Sequence, residues 1–62
     1  MPLVSIKIIE GRTIEQKRGM VKDVTEAIVK NIGCPASAVH IDILEMKLEN
    51  LSQGGKLFSD GQ

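Results

Sequence analysis

Aromatic residues and cysteine are scarce in this sequence, and the shortage of cysteine limits what the chain can be. Phe58 is the one aromatic residue, and there is no tryptophan or tyrosine. The single cysteine, Cys34, excludes a disulfide within the chain. With only one cysteine and one histidine, His40, a metal centre is not expected. We therefore expect neither a metal nor any other cofactor.

An excess of charge of one sign is also missing. Eight basic and eight acidic residues cancel to a formal net charge of +0, so no basic field indicates a nucleic-acid partner. Acidic residues are interleaved with the basic residues of the central region, which is typical of a solvent-exposed helix face. These basic residues are Lys17, Arg18, Lys22 and Lys30.

Long apolar runs are absent as well. No run approaches the roughly 20 residues that cross a bilayer, and no signal-peptide pattern opens the chain. We therefore expect no membrane partner and a cytoplasmic location. A lone thiol is also typical of a reducing compartment.

The length predicts one domain over residues 1–62 that depends on partner subunits. A chain of 62 residues buries only about 60% of the surface that its unfolded form exposes. Small domains usually add disulfides, a metal or further subunits. Since the first two are not expected here, we predict an oligomer, which agrees with a hydrophobic content of 42%.

What is present predicts a strand followed by a helix. Apolar and polar residues alternate over Leu3–Ile9, as in a strand. Thr13 with Gln16 forms a capping-box pattern, and Gly33 is a natural helix terminator, so we predict a helix over Ile14–Ile32. This helix has an apolar stripe at helical spacing, formed by Ile14, Val21, Val24, Ile28 and Ile32.

A second strand is predicted over Ala38–Met46, and Gly54-Gly55 predicts a C-terminal β-hairpin. The fold class is therefore α+β: a β-α-β unit with parallel strands and a right-handed crossover, plus the hairpin, assembled into an oligomer. One helix covers only one face of a parallel sheet, although such sheets are normally covered on both. We expect other subunits to bury the outward residues Leu3, Ile9, Leu44 and Met46.

Few residues of this sequence are candidates for catalysis. A phosphate-binding loop is absent, and one histidine does not support a Ser-His-Asp set. Glu45 and Glu49 are expected to be solvated. Pro2 either begins a strand where no N–H is needed or, if Met1 is removed, supplies a free secondary amine.

Arg12 and His40 have ordinary interpretations too. Arg12 follows the first strand, where a solvent-exposed turn residue is common, and the positive end of a helix dipole lies beside it. A lone histidine such as His40 is more often a packed or interface residue than a catalyst.

The combination of motifs is more specific than its parts. An initial MP, the strand LVSIKII and the run EGRTIEQK opening a helix resemble the 4-oxalocrotonate tautomerase family. The stretch PASAVHIDILEM and the GG hairpin are similar to that family in spacing and type. The resemblance extends from Pro2 to about Phe58.

The resemblance implies an isomerase that converts 2-hydroxydienoates, such as 2-hydroxymuconate, into 2-oxo acids in aromatic hydrocarbon catabolism. It implies that Met1 is removed and that the amine of Pro2 is the general base. Burial and a nearby Arg⁺ disfavour protonation of such an amine and lower its pKa toward about 7. The resemblance also implies that Arg12 binds a substrate carboxylate and that dimers form hexamers, trimers of dimers, with sites between subunits.

Two substrate-binding positions depart from the family pattern. His40 stands where the family commonly has a second arginine, and Leu51 stands where it has a phenylalanine. An imidazole polarises a 2-oxo group only when it is protonated or donates an N–H. Two rival functions therefore stay open. One is hydration or dehalogenation of unsaturated acids, with water activated by Glu10, Asp42 or Glu49, and the other is a non-catalytic oligomeric binding protein.

Overall fold

The computed structural model describes residues 1–61. Strand β1 (Leu3–Ile9) leads into helix α1 (Ile14–Ile32), strand β2 (His40–Met46) and a hairpin of β3 (Ser52–Gln53) and β4 (Lys56–Leu57). Single 3₁₀ turns flank these elements at Ala36–Ala38, Leu48–Asn50 and Phe58–Asp60. The predicted β-α-β unit with a C-terminal hairpin is confirmed.

β1 and β2 pair in parallel, with α1 as the crossover. The register runs from Leu3 opposite His40 to Ile9 opposite Met46. Backbone hydrogen bonds extend the ladder past both ends of β1, from the His40 N–H to the Pro2 carbonyl at 3.0 Å and from the Glu10 N–H to the Met46 carbonyl at 3.0 Å. Both ends of β1 are therefore fixed by its neighbour.

Both ends of α1 have the caps that the sequence predicts. The Gln16 N–H donates to Thr13 Oγ1 at 3.1 Å, and the Thr13 N–H donates to Gln16 Oε1 at 2.9 Å. These reciprocal bonds satisfy two of the N–H groups that a helix start leaves unpaired. Gly33 ends the helix in the left-handed conformation, at φ 83°, with its N–H on the Val29 carbonyl. Within residues 1–61, no helix has both the length and the apolarity to cross a membrane.

The apolar stripe of α1 packs on the sheet only over its middle. Val21, Val24 and Ile28 are half-buried, whereas Ile14 and Ile32 are 60% and 68% exposed. A helix of 19 residues is about 28 Å long, and a seven-residue strand is about 23 Å long. The helix ends therefore project past the sheet.

The predicted start of β2 is wrong by two residues. The sequence predicts a strand over Ala38–Met46, but the ladder begins at His40 because a 3₁₀ turn covers Ala36–Ala38. The N–H groups of Ala38 and Val39 bond to carbonyls three residues earlier, at 3.0 and 3.1 Å. These local bonds use the donors that a strand would have offered.

The hairpin closes through the predicted glycine pair. Gly54 and Gly55 have φ values of 62° and 82°, which a type I′ turn requires at both central positions. Ser52 lies opposite Leu57 in the antiparallel ladder. β3 and β4 pair only with each other, so the hairpin is a separate two-stranded ribbon and not part of the β1–β2 sheet.

The isolated protomer has no core of its own. None of residues 1–61 is buried, and Leu3 on the outward sheet face is 78% exposed. The accessible surface is 4752 Å², against about 4,000 Å² for a compact chain of this mass. The radius of gyration is 14.9 Å, against about 10.5 Å for a globular domain of this length. Both values describe a protomer that needs partners to bury its apolar side chains.

Candidate active site

The predicted site residues lie at opposite ends of the β1–β2 pair. Pro2 directly precedes β1, and His40 begins β2. Arg12 and Leu51 lie beyond the other ends of these strands. Since a seven-residue strand rises about 23 Å, one protomer brings Pro2 together with His40 but not with Arg12.

At the amino ends of the strands, Pro2 is half-buried and His40 is exposed. Pro2 has no N–H to donate, but it takes part in the β1–β2 ladder as an acceptor, because its carbonyl accepts a hydrogen bond from the His40 N–H. Met1 precedes Pro2 in this structure and is 81% exposed. While Met1 is attached, the nitrogen of Pro2 is an amide and has no basic lone pair.

At the carboxyl ends, Arg12 lies on a connection that is held on both sides. The Glu10 N–H bonds to β2, and Thr13 caps α1. Gly11 lies between them with φ 110°, a conformation that only glycine adopts readily. No atom lies within 4 Å of a Cβ added at Gly11, so the backbone conformation and not space requires glycine there.

Arg12 borders a cleft of about 300 Å³ between the end of β1 and the first turns of α1, called the Arg12 cleft below. Its lining residues are Ile8, Arg12, Gln16, Lys17 and Met20. The Arg12 side chain is exposed and forms no ion pair or hydrogen bond with any other residue of 1–61. A guanidinium in this state can bind a carboxylate through two parallel N–H donors.

Lys17 in this cleft is not the solvated residue that the sequence predicts. Its Nζ lies 2.6 Å from Oε1 of Glu45 on β2, and the two side chains are 23% and 39% exposed. Glu45 is therefore not freely solvated either. The sequence indicates this sheltered position of Lys17. It lies three residues after Ile14 and four before Val21, on the helix face where the other stripe residues are apolar.

Leu51 lines a second cleft of about 250 Å³, called the Leu51 cleft. Its lining residues are Lys7, Ile8, Ile9, Met46 and Leu51. Two backbone bonds place Leu51, from its N–H to the Leu48 carbonyl at 3.3 Å and from the Phe58 N–H to its own carbonyl at 2.9 Å. Ile8 lines both clefts, although Lys7 and Ile9, which line only the Leu51 cleft, point to the other face of β1.

Two of the three acids that could activate water, Glu10 and Glu49, follow the carboxyl ends of β1 and β2. Asp42 lies in the middle of β2 and accepts a hydrogen bond from the Ser5 hydroxyl at 2.9 Å. Glu10 and Glu49 are both exposed. In the described part of the chain, no three histidine, cysteine or acidic side chains are arranged to hold a metal ion.

This architecture, a short β-α-β unit with a hairpin, defines the class of 4-oxalocrotonate tautomerase folds. The model of the family described as tautomerase enzyme matches residues 2–61. The chain belongs to the tautomerase family, and this membership supports an isomerase activity.

Relatives and solved structures agree with this membership. A probable tautomerase of Bradyrhizobium diazoefficiens is 50% identical over 58 residues, which covers 94% of this chain and 87% of that protein. A 4-oxalocrotonate tautomerase isozyme structure from Methylibium petroleiphilum has a TM-score of 0.91 and 36% identity, covering 95% of this chain and 92% of that one. A heterohexamer 4-oxalocrotonate tautomerase from Chloroflexus aurantiacus has a TM-score of 0.91 and 26% identity, covering 100% of both chains.

Proposed function

We propose that this protein is a keto–enol tautomerase in which removal of Met1 frees the amine of Pro2 to act as the general base. The reaction interconverts 2-hydroxydienoates, such as 2-hydroxymuconate, and 2-oxo acids. The observation that carries the proposal is the position of Pro2: it precedes β1 directly, and the family match begins at this residue.

The reaction requires an unprotonated base whose lone pair points toward the proton that it removes. The amine of Pro2 would remove a proton from carbon or oxygen and return it at the other site, so no cofactor is needed. Its ring restricts the direction of the lone pair, and the bond between Pro2 and His40 ties it to the sheet. Only the unprotonated amine accepts a proton, so kcat/KM should rise with pH through a single group.

The other site residues would bind and polarise the substrate. The guanidinium of Arg12 would hold the carboxylate, and Leu51 would exclude water from the reacting atoms. His40 would donate an N–H to the 2-oxo oxygen, where negative charge develops in the enolate. An imidazole gives less charge stabilisation there than a permanently charged guanidinium.

We also propose a homo-oligomer, a hexamer built as a trimer of dimers, in which the site lies between subunits. Two observations support this assembly. The protomer buries none of the described residues, and Pro2 lies about 23 Å from the end of β1 that carries Arg12. The relative from Chloroflexus aurantiacus is a heterohexamer, which agrees in size with this proposal. The corresponding biological setting is cytoplasmic catabolism of aromatic hydrocarbons.

The test compares one protein with a free and with a blocked amino terminus. Intact mass establishes that Met1 is absent from the first form. The second form has residues added before Pro2, which turn the nitrogen into an amide. We expect the first form to ketonise 2-hydroxymuconate or a phenylpyruvate enol and the second to be inactive while it assembles normally.

Three results would contradict the proposed function. Full activity in the blocked form would exclude Pro2 as the base. Turnover of a haloacrylate but not of either enol by the free form would favour the dehalogenase or hydratase function. If the free form converts none of these compounds, the non-catalytic binding protein becomes the better interpretation.

A further inference from the structure

The Leu51 cleft combines an apolar surface with one cationic side chain, Lys7. The other residues that line it are hydrophobic and half-buried: Ile8, Ile9, Met46 and Leu51. Lys7 itself is exposed and lies on the outward face of β1, two residues before Ile9. The cleft therefore suits a ligand that has both an apolar part and a negative charge.

The ammonium group of Lys7 has no partner within the protomer. It forms no ion pair or hydrogen bond with any other residue of 1–61. The acid on the same face of the β1–β2 pair, Asp42, lies opposite Ser5 and accepts a hydrogen bond from its hydroxyl at 2.9 Å. When other subunits cover the outward face, the ammonium group loses water, so a negative charge has to approach it.

The proposed substrate can supply this negative charge. 2-Hydroxymuconate has two carboxylates, and Arg12 would hold one of them. The imidazole of His40 carries no permanent charge for the other. Lys7 lines the same cleft as Leu51, which is already a proposed substrate-binding residue, so it can supply the second cation.

We infer that Lys7 binds the second carboxylate of a dicarboxylate substrate, whose apolar chain packs against Leu51. This inference rests on the proposed function, in which Arg12 binds the first carboxylate. In one protomer the two cations belong to opposite faces of β1, because the Arg12 cleft lies on the α1 side. One substrate molecule therefore contacts Lys7 of one copy and Arg12 of another, in agreement with the proposed site between subunits.

The experiment compares two dienoic acids with the same carbon chain, trans,trans-muconate with two carboxylates and sorbate with one. Neither has the 2-hydroxyl group that tautomerisation requires, so binding is measured without turnover. Calorimetric titration of the assembled protein without Met1, at constant ionic strength, gives a dissociation constant for each acid. In Lys7→Met we expect the affinity for muconate to fall by about two- to fivefold, the range for one exposed ion pair, and that for sorbate to stay unchanged.

Three further variants isolate the charge of Lys7. Lys7→Arg keeps a cation and should keep the parental preference for muconate over sorbate. Lys22→Met removes a cation from an exposed position of α1 that lines neither cleft, and it should change neither constant. Arg12→Ala should weaken binding of both acids, since both have the carboxylate that Arg12 would hold.

Four results would overturn the inference. The first two are an unchanged affinity for muconate in Lys7→Met and an equal loss for both acids in this variant. The third is no binding of muconate by the parent. The fourth is dissociation of Lys7→Met in sedimentation, which would assign the ammonium group to a subunit contact. Because no turnover is involved, these results are independent of the assay that tests Pro2 as the base.

Discussion

The two ends of the β1–β2 pair are built for different tasks. The amino ends present Pro2 and His40, joined by one backbone hydrogen bond, with His40 exposed. The carboxyl ends present Arg12 and Leu51 beside two clefts of about 300 and 250 Å³, both lined in part by Ile8. One end thus has the candidate base, and the other has the candidate binding surface.

This difference follows from the parallel pairing of the strands. In a parallel pair both amino ends lie at one edge of the sheet and both carboxyl ends at the other. The first residue of β1 and the loop that follows β1 therefore remain a strand length apart in any single protomer. A site that needs both ends has to combine residues from different copies of the chain.

The largest effect is expected from Pro2→Ala. This change replaces a stiff secondary amine with a more mobile primary amine, and we expect kcat/KM to fall about 100-fold or more, as when a positioned general base is lost. Circular dichroism and sedimentation should match the parent.

Pro35→Ala is the matched control for this variant, because Pro35 is the other proline and precedes the 3₁₀ turn at Ala36–Ala38. It should retain parental kinetics. If kcat/KM falls equally in Pro2→Ala and Pro35→Ala, the effect of Pro2→Ala is structural and not catalytic.

Mixing two defective proteins tests whether the two ends meet across subunits. Pro2→Ala and Arg12→Ala subunits, unfolded together and refolded, should form some sites with an intact Pro2 and an intact Arg12. Activity should then exceed that of either variant alone, and sedimentation should show a species larger than the 6.8 kDa protomer. Mixtures no more active than their parts would argue that each site uses one protomer.

A smaller effect is expected from Arg12→Ala alone. Hydrogen bonds to a charged group contribute about 1.5–3 kcal/mol, so kcat/KM for a carboxylate substrate should fall about 10- to 100-fold. The loss should appear mainly in KM, and assembly should persist because Arg12 is exposed. Arg18→Ala, on the outer helix surface, is the control. Unchanged kinetics in Arg12→Ala would return this residue to the interpretation of a solvated turn.

The smallest effect is expected from His40→Arg, and it is a gain. A permanent cation beside Pro2 should stabilise the developing enolate, raising kcat by about two- to tenfold, the difference between a neutral and a charge-assisted hydrogen bond. A pH series should show that the gain persists where imidazole is neutral. No gain at any pH would show that another group polarises the substrate.

The sequence alone determined those parts of the fold that depend on neighbours in the chain. The capping box at Thr13, the left-handed Gly33 and the hairpin glycines act over a few residues, and they predict α1 and the final turn correctly. Period-two alternation likewise predicts β1. The motifs that include Pro2 and Arg12 predicted the family for the same reason, since they are contiguous patterns.

Only the tertiary structure decided which distant groups meet. It showed that Lys17 binds Glu45, that Ile14 projects beyond the sheet and that Pro2 and Arg12 lie at opposite ends. These facts depend on the relative lengths of helix and strand and on parallel pairing across more than 30 residues. No local pattern encodes such distances, because packing of the crossover helix on the strands is what sets them.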